Sequence, residues 1–566
     1  MNPVSPMIPD PSDLVFLPLG GCGEIGMNLN LYGHGGKWLM VDLGLTFADE
    51  RQPGIDLILP DPTFISERRQ DLLAIVLTHA HEDHLGALPY LWPLLGCPVY
   101  ASPFASNLLS RKLEEAGLLD EVPLHVIAAG ERLDLGPFAI DFLGVTHSIP
   151  EASSLAIHTA AGSVVHTGDW KLDPGPVVGP LTDAAGFAAV AEAASVLVCD
   201  STNVLQPGRS GSEADLRPSL LEVMKGHPGR IAVTTFASNV ARIETVAQVA
   251  VELDRHVVLA GRALRRNSEA AQQCGYLGDL PEFLSEDDYA HLPPDRVLLM
   301  CSGCQGEPRG TMTRVANGSH PRLHLDPGDL AVFSSKIIPG NERALSRVHN
   351  DLVLAGVEVV SEKDAFVHVS GHPARDEISE LYGWLKPALA VPVHGEARHL
   401  EAHVRLARSL GVPEARMIAN GDMLRLGPGP AEVVEQVPAG RLLVDGDSLV
   451  PEGGQALQAR RKIMFNGLIS VTLVIDAAGD RLAPPKLSNH GAFDALIEPD
   501  LPAALEAAAD QALDKLSRQR RRDDDAVAEA VRVAVRRAAR AVTGRRPLVK
   551  VELVRLDYQV KERKVS

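Results

Sequence analysis

Residues His79-Ala80-His81-Glu82-Asp83-His84 directly follow an apolar run over 72–77. Four side chains that bind first-row metals readily stand in this one short segment, a density that neither a packed core nor a solvated surface calls for. The apolar run predicts a strand. His79 and His81 alternate in the extended segment that leaves it, so they point the same way. Asp83 and His84 turn at the start of a helix expected over 86–95. One ion cannot use all four neighbours without strain, but two ions sharing the loop can. The feature therefore calls for a scaffold that presents loops at strand ends and for metal-assisted hydrolysis.

A chain of 566 residues exceeds a single core, so two to four domains are expected. Its net charge of −19 argues against nonspecific attraction to polyanions. Bound metal ions and a locally positive cleft still leave room for a polyanionic substrate. Aromatic residues make up 4%, which leaves base stacking a small part in any nucleic-acid binding. No apolar stretch approaches membrane-spanning length. The Pro-rich start, MNPVSPMIPDPSD, lacks the basic and apolar regions of a signal peptide. Six irregularly spaced cysteines fit a reducing compartment, so the expected location is the cytoplasm. Cys301 and Cys304 form a lone CxxC without the second pair that a structural zinc site needs.

From 14 to about 200, short β-like runs alternate with turns: 15–19, 38–41, 74–77, 99–101, 139–143, 154–158, 164–166 and 196–199. Helical stretches are fewer, over 86–95 and 104–116, which predicts packed sheets with helices outside. From about 211 to 368, helices expected over 239–253, 267–274 and 342–354 alternate with strands over 230–235, 256–259, 297–301 and 329–334. That rhythm indicates an α/β unit with a parallel sheet. Metal-type residues resume at His368, His372 and His394, as an inserted domain would require. The expected limits are 1–210 and 368–445 for the interrupted domain, 211–367 for the insert, 446–465 for a turn-rich connector and 466–566 for a C-terminal α+β domain. In the last, a strand over 468–475, a helix capped by Asp500, a second capped by Asp525 and stopped by Gly544, and a strand over 548–556 are expected. Its many arginines are expected to be solvated helix faces, or to contact RNA or another subunit.

Further ligand-type residues follow strand candidates: His147 in Thr-His-Ser, Asp169 in His-Thr-Gly-Asp-Trp and His394 in Pro-Val-His-Gly-Glu. With the HxHxDH cluster, this set resembles the metallo-β-lactamase superfamily, and Asp42 in Met-Val-Asp-Leu-Gly resembles its first-motif aspartate. Cys199-Asp200-Ser201-Thr202-Asn203, His368-Val369-Ser370-Gly371-His372 and Pro392-Val393-His394-Gly395-Glu396 resemble the three motifs of the β-CASP nucleases. The segments from Gly20 to Asn28, Pro53-Gly54-Ile55-Asp56 and Phe236-Ala237-Ser238-Asn239 narrow the resemblance to bacterial ribonuclease J.

The resemblance implies an α/β chain: a four-layer αβ/βα metallo-β-lactamase domain holding two divalent ions, interrupted by a β-CASP domain and followed by a small C-terminal α+β domain. Zinc is the expected metal, with manganese or magnesium as the alternatives. It assigns His79, His81, His147 and Asp169 to one ion, and Asp83, His84, Asp169 and His394 to the other. Asp42 would orient a ligand by hydrogen bonding. It places His372, Asp200 and Asp83 in catalysis, with His372 protonating the leaving 3′-oxygen. It gives RNA to Phe236, Ala237, Ser238 and Asn239 at a helix N-terminus and to the loop His368, Val369, Ser370, Gly371 and His372. Ser334, Ser335 and Arg262 are weaker candidates for a 5′-phosphate pocket. The implied activity is 5′-to-3′ exonucleolytic and endonucleolytic RNA cleavage in RNA maturation and mRNA decay. The implied partners are a homodimer or homotetramer and members of an RNA-degradation complex, with no membrane. A β-CASP DNA nuclease and a catalytically silent RNA-binding scaffold are the competing readings. The resemblance also raises a remote calcium site that would include Asp445.

Overall fold

The computed structural model describes residues 10–338 and 340–556. The first nine residues of the Pro-rich start lie outside the described residues. Two compact units result. One runs to Thr46 and from Ile58 to Arg441; the other takes Phe47–Leu57 and continues from Leu442.

All the strands expected over 15–199 form, and they join two sheets in the first unit. The larger has the order Val433–Gln436, Asp422–Gly427, Leu14–Gly20, Leu29–His34, Lys37–Val41, Leu72–Val76, Val99–Ala101 and Leu124–Val126. The other has the order Arg132–Leu135, Phe138–Gly144, Ser153–Thr159, Gly162–His166, Ala194–Asp200, Leu389–Val393 and Glu414–Ala415. Alternation of side chains explains their layering. Val164, Val196, Val198 and Val391 share a core with Phe16, Tyr32, Val41 and Val76 of the larger sheet. The intervening Val165, Leu197 and Ala390 pack instead with Ile378, Leu381 and Ala402 of the helices Arg375–Leu385 and Ala397–Ser409. Lys37–Val41 runs parallel to Leu72–Val76, and Ala194–Asp200 runs parallel to Gly162–His166 and Leu389–Val393. The loops at the carboxyl ends of these strands carry Asp42, His79, Asp169 and His394, while Asp200 is the last residue of its strand. The helix expected over 86–95 is two helices, Glu82–Leu85 and Leu88–Leu95, so Asp83 and His84 already lie in helical backbone.

The insert holds five parallel strands in the order His256–Ala260, Val297–Cys301, Ile231–Thr234, Leu330–Phe333 and Glu358–Val360, as the sequence rhythm predicts. The helix expected over 267–274 starts earlier and spans Arg262–Gln273. Its first turns carry Arg262, Arg265 and Arg266, which hide the apolar period in the sequence.

Buried ions tie the crossover into the insert. Asp173 lies 2.8 Å from Lys171 and accepts bonds from Ser212 Oγ, the Glu213 amide and the Gly175 amide. Arg242, fully buried, makes a two-pronged pair with Glu213 and donates to Ser334 O and Ser334 Oγ. Burial opposes ionisation of Asp173, but Lys171 and the surrounding donors hold its carboxyl below the ordinary 3.8. A depressed folded-state value contributes stability that is present above the unfolded value and lost as pH falls through the folded one. Asp173→Asn is therefore expected to be less stable than wild type at neutral pH, with the gap closing as the pH drops below about 4. Urea unfolding across pH checks this; a gap that stays constant with pH would show that the charge contributes nothing.

In the second unit, a three-stranded sheet has the order Arg481–His490, Leu468–Asp476, Leu548–Leu556. Ile469, Val471 and Leu473 pack under Leu505 and Ala509 of the helix Leu501–Asp514 and Val527, Val531 and Val535 of the helix Asp524–Thr543. Three sequence expectations are corrected here. The stretch 446–465 is no mere connector, since it carries the strand Ser448–Pro451 and most of the helix Gln455–Asn466. The strand Arg481–His490 was not expected, because Pro484 and Pro485 argue against a strand; it lies at the sheet edge, where proline is tolerated. Asp523, not Asp525, caps the long helix by accepting from the Ala526 amide, and Asp500 precedes its helix without a side-chain cap bond. Gly544 ends the long helix in the left-handed conformation, as expected. Asp445 is gripped by Arg460 through both carboxylate oxygens at 2.8 Å, so nothing marks it as a calcium ligand.

Candidate metal centre

The turn that bears the His/Asp cluster is held from two sides by backbone bonds. The Asn28 amide donates to Asp83 O, Leu43 N to His84 O, Leu45 N to Glu82 O and Ala87 N to Leu43 O. Gly44 makes this approach possible. A Cβ there would stand 1.7 Å from Asp83 O and 2.6 Å from His84 N. Gly44→Ala is thus expected to cost about 3 kcal/mol, the upper part of the usual range for overpacking. Thermal unfolding of the metal-depleted chain measures it; an unchanged midpoint would mean that the turn relaxes freely. The glycine loop before Asn28 lies beside the centre, with Gly21 O accepting from the His394 amide and Gly26 against Asp83.

The expected ligands converge. Ligating atoms of His79, His81, His147 and Asp169 lie within 4.8 Å of one another, as do those of Asp83, His84, Asp169 and His394. A third set, Asp169, Asp200, His372 and His394, overlaps both. Asp169 belongs to all three.

Hydrogen bonds fix the imidazole tautomers. Asp42 accepts from the Thr78 amide and Thr78 Oγ1, each at 2.8 Å, and from His84 Nδ1 at 2.7 Å. His84 Nε2 therefore faces the centre, 3.3 Å from Asp169 and 3.1 Å from Asn28 Nδ2. Thr78 Oγ1 already donates to Asp42, so His79 Nδ1 donates to it at 3.0 Å and leaves Nε2 bare. His147 Nδ1 donates to Gly371 O at 2.6 Å and likewise leaves Nε2 bare. Both bare nitrogens approach His81 Nδ1, at 3.1 and 3.0 Å. Asp42 thus fixes the orientation of the His84 ring.

Charge follows the same geometry. Burial pushes His79 and His147 well below the ordinary 6.5, and His81 to about 4, so these three are neutral ligand-type imidazoles at pH 7. Burial opposes protonation of His84 and His394 as well. The carboxylates beside them win: Asp169, Asp42 and Asp83 hold His84 well above 6.5, and Asp169, Asp200 and Asp83 raise His394 to about 10. His372 is also raised against burial, by Asp200 and Asp169. Four aspartates, Asp42, Asp83, Asp169 and Asp200, therefore cluster around the centre and favour protons on the imidazoles beside them. Asp169 Oδ1 is buried and accepts no hydrogen bond of good geometry, with His394 Nδ1 3.3 Å away. Bare nitrogens in mutual contact, a buried carboxylate oxygen without a well-formed hydrogen bond and clustered aspartates together fit divalent cations.

The remaining candidates divide. His372 Nδ1 lies 2.8 Å from Asp200 Oδ2, at the edge of the cluster. Ser370 Oγ accepts from Asn203 Nδ2 at 2.7 Å and from the His372 amide. Gly371 has no room for a side chain, since a Cβ would stand 2.9 Å from the His147 ring. One hollow is lined by His147, Ser148, Asn239, Val369, Ser370 and Gly371, so the two expected RNA segments meet there. Asn239 caps the helix Val240–Glu252 by accepting from the Arg242 amide, and Phe236, Ala237 and Ser238 are half-buried before it. The Val369 side chain is buried and would crowd a side chain at Gly211. His368 stands apart from the cluster, 3.4 Å from Arg242 Nη1. Ser334 Oγ accepts from Arg242 and donates to Val367 O, which leaves its hydroxyl proton no part in a phosphate pocket. Ser335 Oγ is buried without a hydrogen-bond partner, and Arg262 is exposed at a helix start.

Gly44, Asn203 and Thr202 were missed as positioning residues. Thr202 Oγ1 donates to Asp200 Oδ1 at 2.7 Å and lies 3.0 Å from His394 Nδ1. Gly44, Thr202 and Asn203 all stand inside quoted motifs, so their positions were legible, but their contacts were not.

A His/Asp centre at the strand ends of two packed sheets defines a metal-dependent hydrolase of the metallo-β-lactamase superfamily, whose model matches residues 27–234. Residues 228–352 match the Ribonuclease J beta-CASP domain, 356–415 the Zn-dependent metallo-hydrolase RNA specificity domain and 455–556 the Ribonuclease J C-terminal domain. Ribonuclease J of Sinorhizobium meliloti is 43% identical over 551 residues, covering 96% of this chain and 98% of that protein. Ribonuclease J of Mycolicibacterium smegmatis is 38% identical over 95% of this chain and 97% of its own, and that of Thermus thermophilus is 35% identical over 95% of each. The chain belongs to the ribonuclease J family. A crystal structure of a protein of unknown function from Enterococcus faecalis shares the fold, with a TM-score of 0.50 and 17% identity over 73% of this chain and all of that one. Among the described residues, no helix is long and apolar enough to cross a membrane.

Proposed function

We propose that the chain is a ribonuclease that hydrolyses RNA both from a 5′-monophosphate end and internally, in RNA maturation and mRNA decay in the cytoplasm. The observation that carries the reading is Asp169, shared by all three four-residue donor sets and adjoining the Asp200–His372 pair. His79, His81, His147 and Asp169 would hold one divalent ion, and Asp83, His84, Asp169 and His394 a second. Nitrogen and oxygen donors of this kind suit zinc or manganese, with magnesium third. Bound by these residues, such ions would supply Lewis acidity for hydrolysis of a phosphodiester near neutral pH.

The chain's own residues supply the rest. Asp200 fixes the proton on His372 Nδ1 and leaves Nε2 as the ring's free nitrogen. Asp200 and Asp169 raise His372 against burial, which favours the protonated ring needed to protonate a leaving 3′-oxygen. Asn203 holds Ser370 and the His372 carbonyl, which sets the loop that faces the phosphate. Oligomerisation as a dimer or tetramer, association with an RNA-degradation complex and the domain limits 1–210, 211–367, 368–445 and 466–566 belong to the same reading.

The test is cleavage of one RNA bearing a 5′-hydroxyl, monophosphate or triphosphate, with products mapped from both ends. Fastest loss from the monophosphate, together with internal cuts on the triphosphate, is expected. Preferred loss of DNA of the same sequence would overturn the assignment.

A further inference from the structure

The C-terminal unit concentrates positive charge in a chain whose net charge is −19. Between Glu529 and Glu552 there are six arginines, one lysine and no acidic residue. Arg532 is paired with Glu529, and Lys550 with Glu552. Arg536, Arg537, Arg540, Arg545 and Arg546 are exposed and have no ion-pair partner among the described residues. Elsewhere in the unit Arg460 pairs with Asp445, Arg481 with Asp510, Arg521 with Asp480 and Arg555 with Asp524, while Arg518, Arg520 and Arg522 are exposed without an ion-pair partner among the described residues but lie beside Asp523, Asp524 and Asp525 in sequence.

Geometry gathers the five at one end. Val527, Val531, Val535 and Ala539 form the buried stripe of the helix Asp524–Thr543. Arg536 and Arg540 are one turn apart on the exposed side, with Arg537 next to them. Gly544 stops the helix, and Arg545 and Arg546 follow at once. The macrodipole favours a cation in the last turn, which accounts for Arg540 but not for the two beyond Gly544. The Arg546 amide donates to Asn466 Oδ1 at the end of the helix Gln455–Asn466. The preceding Phe465 is 72% exposed, the most exposed aromatic side chain among the described residues. Exposed Lys462 lies one turn earlier.

Unpaired guanidiniums offer planar forks that match phosphate oxygens, and an exposed ring beside them offers a face for a base. We propose that this end of the C-terminal unit is a docking surface for single-stranded RNA, with the five arginines on phosphates and Phe465 stacked on a base. The identity of the polyanion rests on the ribonuclease reading; the surface itself rests on the charge and the ring. It gives a strongly acidic chain a local hold on long RNA, independent of the metal centre.

The test uses the full chain, metal-depleted so that no cleavage intervenes, and a long single-stranded RNA titrated at several salt concentrations. Replacing all five arginines by glutamine is expected to weaken binding at least about tenfold and to flatten the dependence of log K on log salt by roughly 0.7 for each phosphate no longer neutralised. Phe465→Ser is expected to weaken binding without changing that slope. Metal-loaded variants are expected to cleave a short oligoribonucleotide as fast as wild type. Should the fivefold variant fail to fold, the pair R545Q/R546Q carries the same test with a smaller slope change. Unchanged affinity and slope would overturn the proposal. So would an altered sedimentation mass with RNA binding intact, which would make the surface a contact between copies of the chain. A wild-type chain inert toward RNA in the cleavage assay would refute the ribonuclease reading instead, while the binding titration would still judge the surface.

Discussion

Asp169→Asn is expected to lower RNA cleavage by at least about a thousandfold, the scale on which a group acting directly on the transition state is lost. The substitution keeps size and shape, so packing around the buried side chain is preserved. It removes the charge that all three donor sets share. It also removes the carboxylate most responsible, once burial is set aside, for holding His84 and His394 above their ordinary values. Metal content should fall together with activity, because an amide oxygen is a weaker ligand and cannot balance two cations. Single-turnover cleavage and metal analysis on the same preparation check both outcomes. Full metal content with full activity would remove Asp169 from the centre and with it the two-ion reading.

His372→Ala is expected to lower the cleavage rate by about 10²–10⁴-fold, the usual contribution of general acid catalysis, while metal content stays at the wild-type level. The distinction matters because His372 stands where it can either protonate a leaving oxygen or hold a phosphate. An RNA with sulfur in place of the leaving 3′-oxygen separates the two roles. A thiolate leaves without protonation, so the defect of His372→Ala should largely vanish on that substrate. A defect of equal size on both substrates would make His372 a phosphate contact only. Asp200→Asn should follow the same pattern more weakly, since Asp200 acts through the 2.8 Å bond that orients the ring.

The strand ends that carry the centre were legible because each strand leading to a ligand announces itself over a few residues, whereas Leu29–His34, Arg132–Leu135 and Asp422–Gly427 were not expected. An apolar run, a turn and a ligand-type residue recur at His79, His147, Asp169 and His394, and local backbone rules suffice to read them. The hidden features each depend on something outside their own segment. The strand Arg481–His490 contains two prolines that only an edge position accommodates. The helix Arg262–Gln273 begins in a basic turn with no apolar period. The capping role fell to Asp523 rather than Asp525 because three aspartates in a row, 523–525, offer no unique start. Burial also reassigned Ser334, whose hydroxyl is taken by Arg242 and Val367.

Residue type and short-range spacing by themselves determined which side chains can take a cation and that they leave strand ends, since ligand chemistry and backbone alternation act over a few residues. Tertiary structure alone decided which nitrogen of each imidazole is bare, that Asp169 serves every donor set, and that Gly44 lets the turn at Asp83 close. Those outcomes arise from contacts between segments tens to hundreds of positions apart, and packing fixes such contacts only when both sheets and the insert are in place.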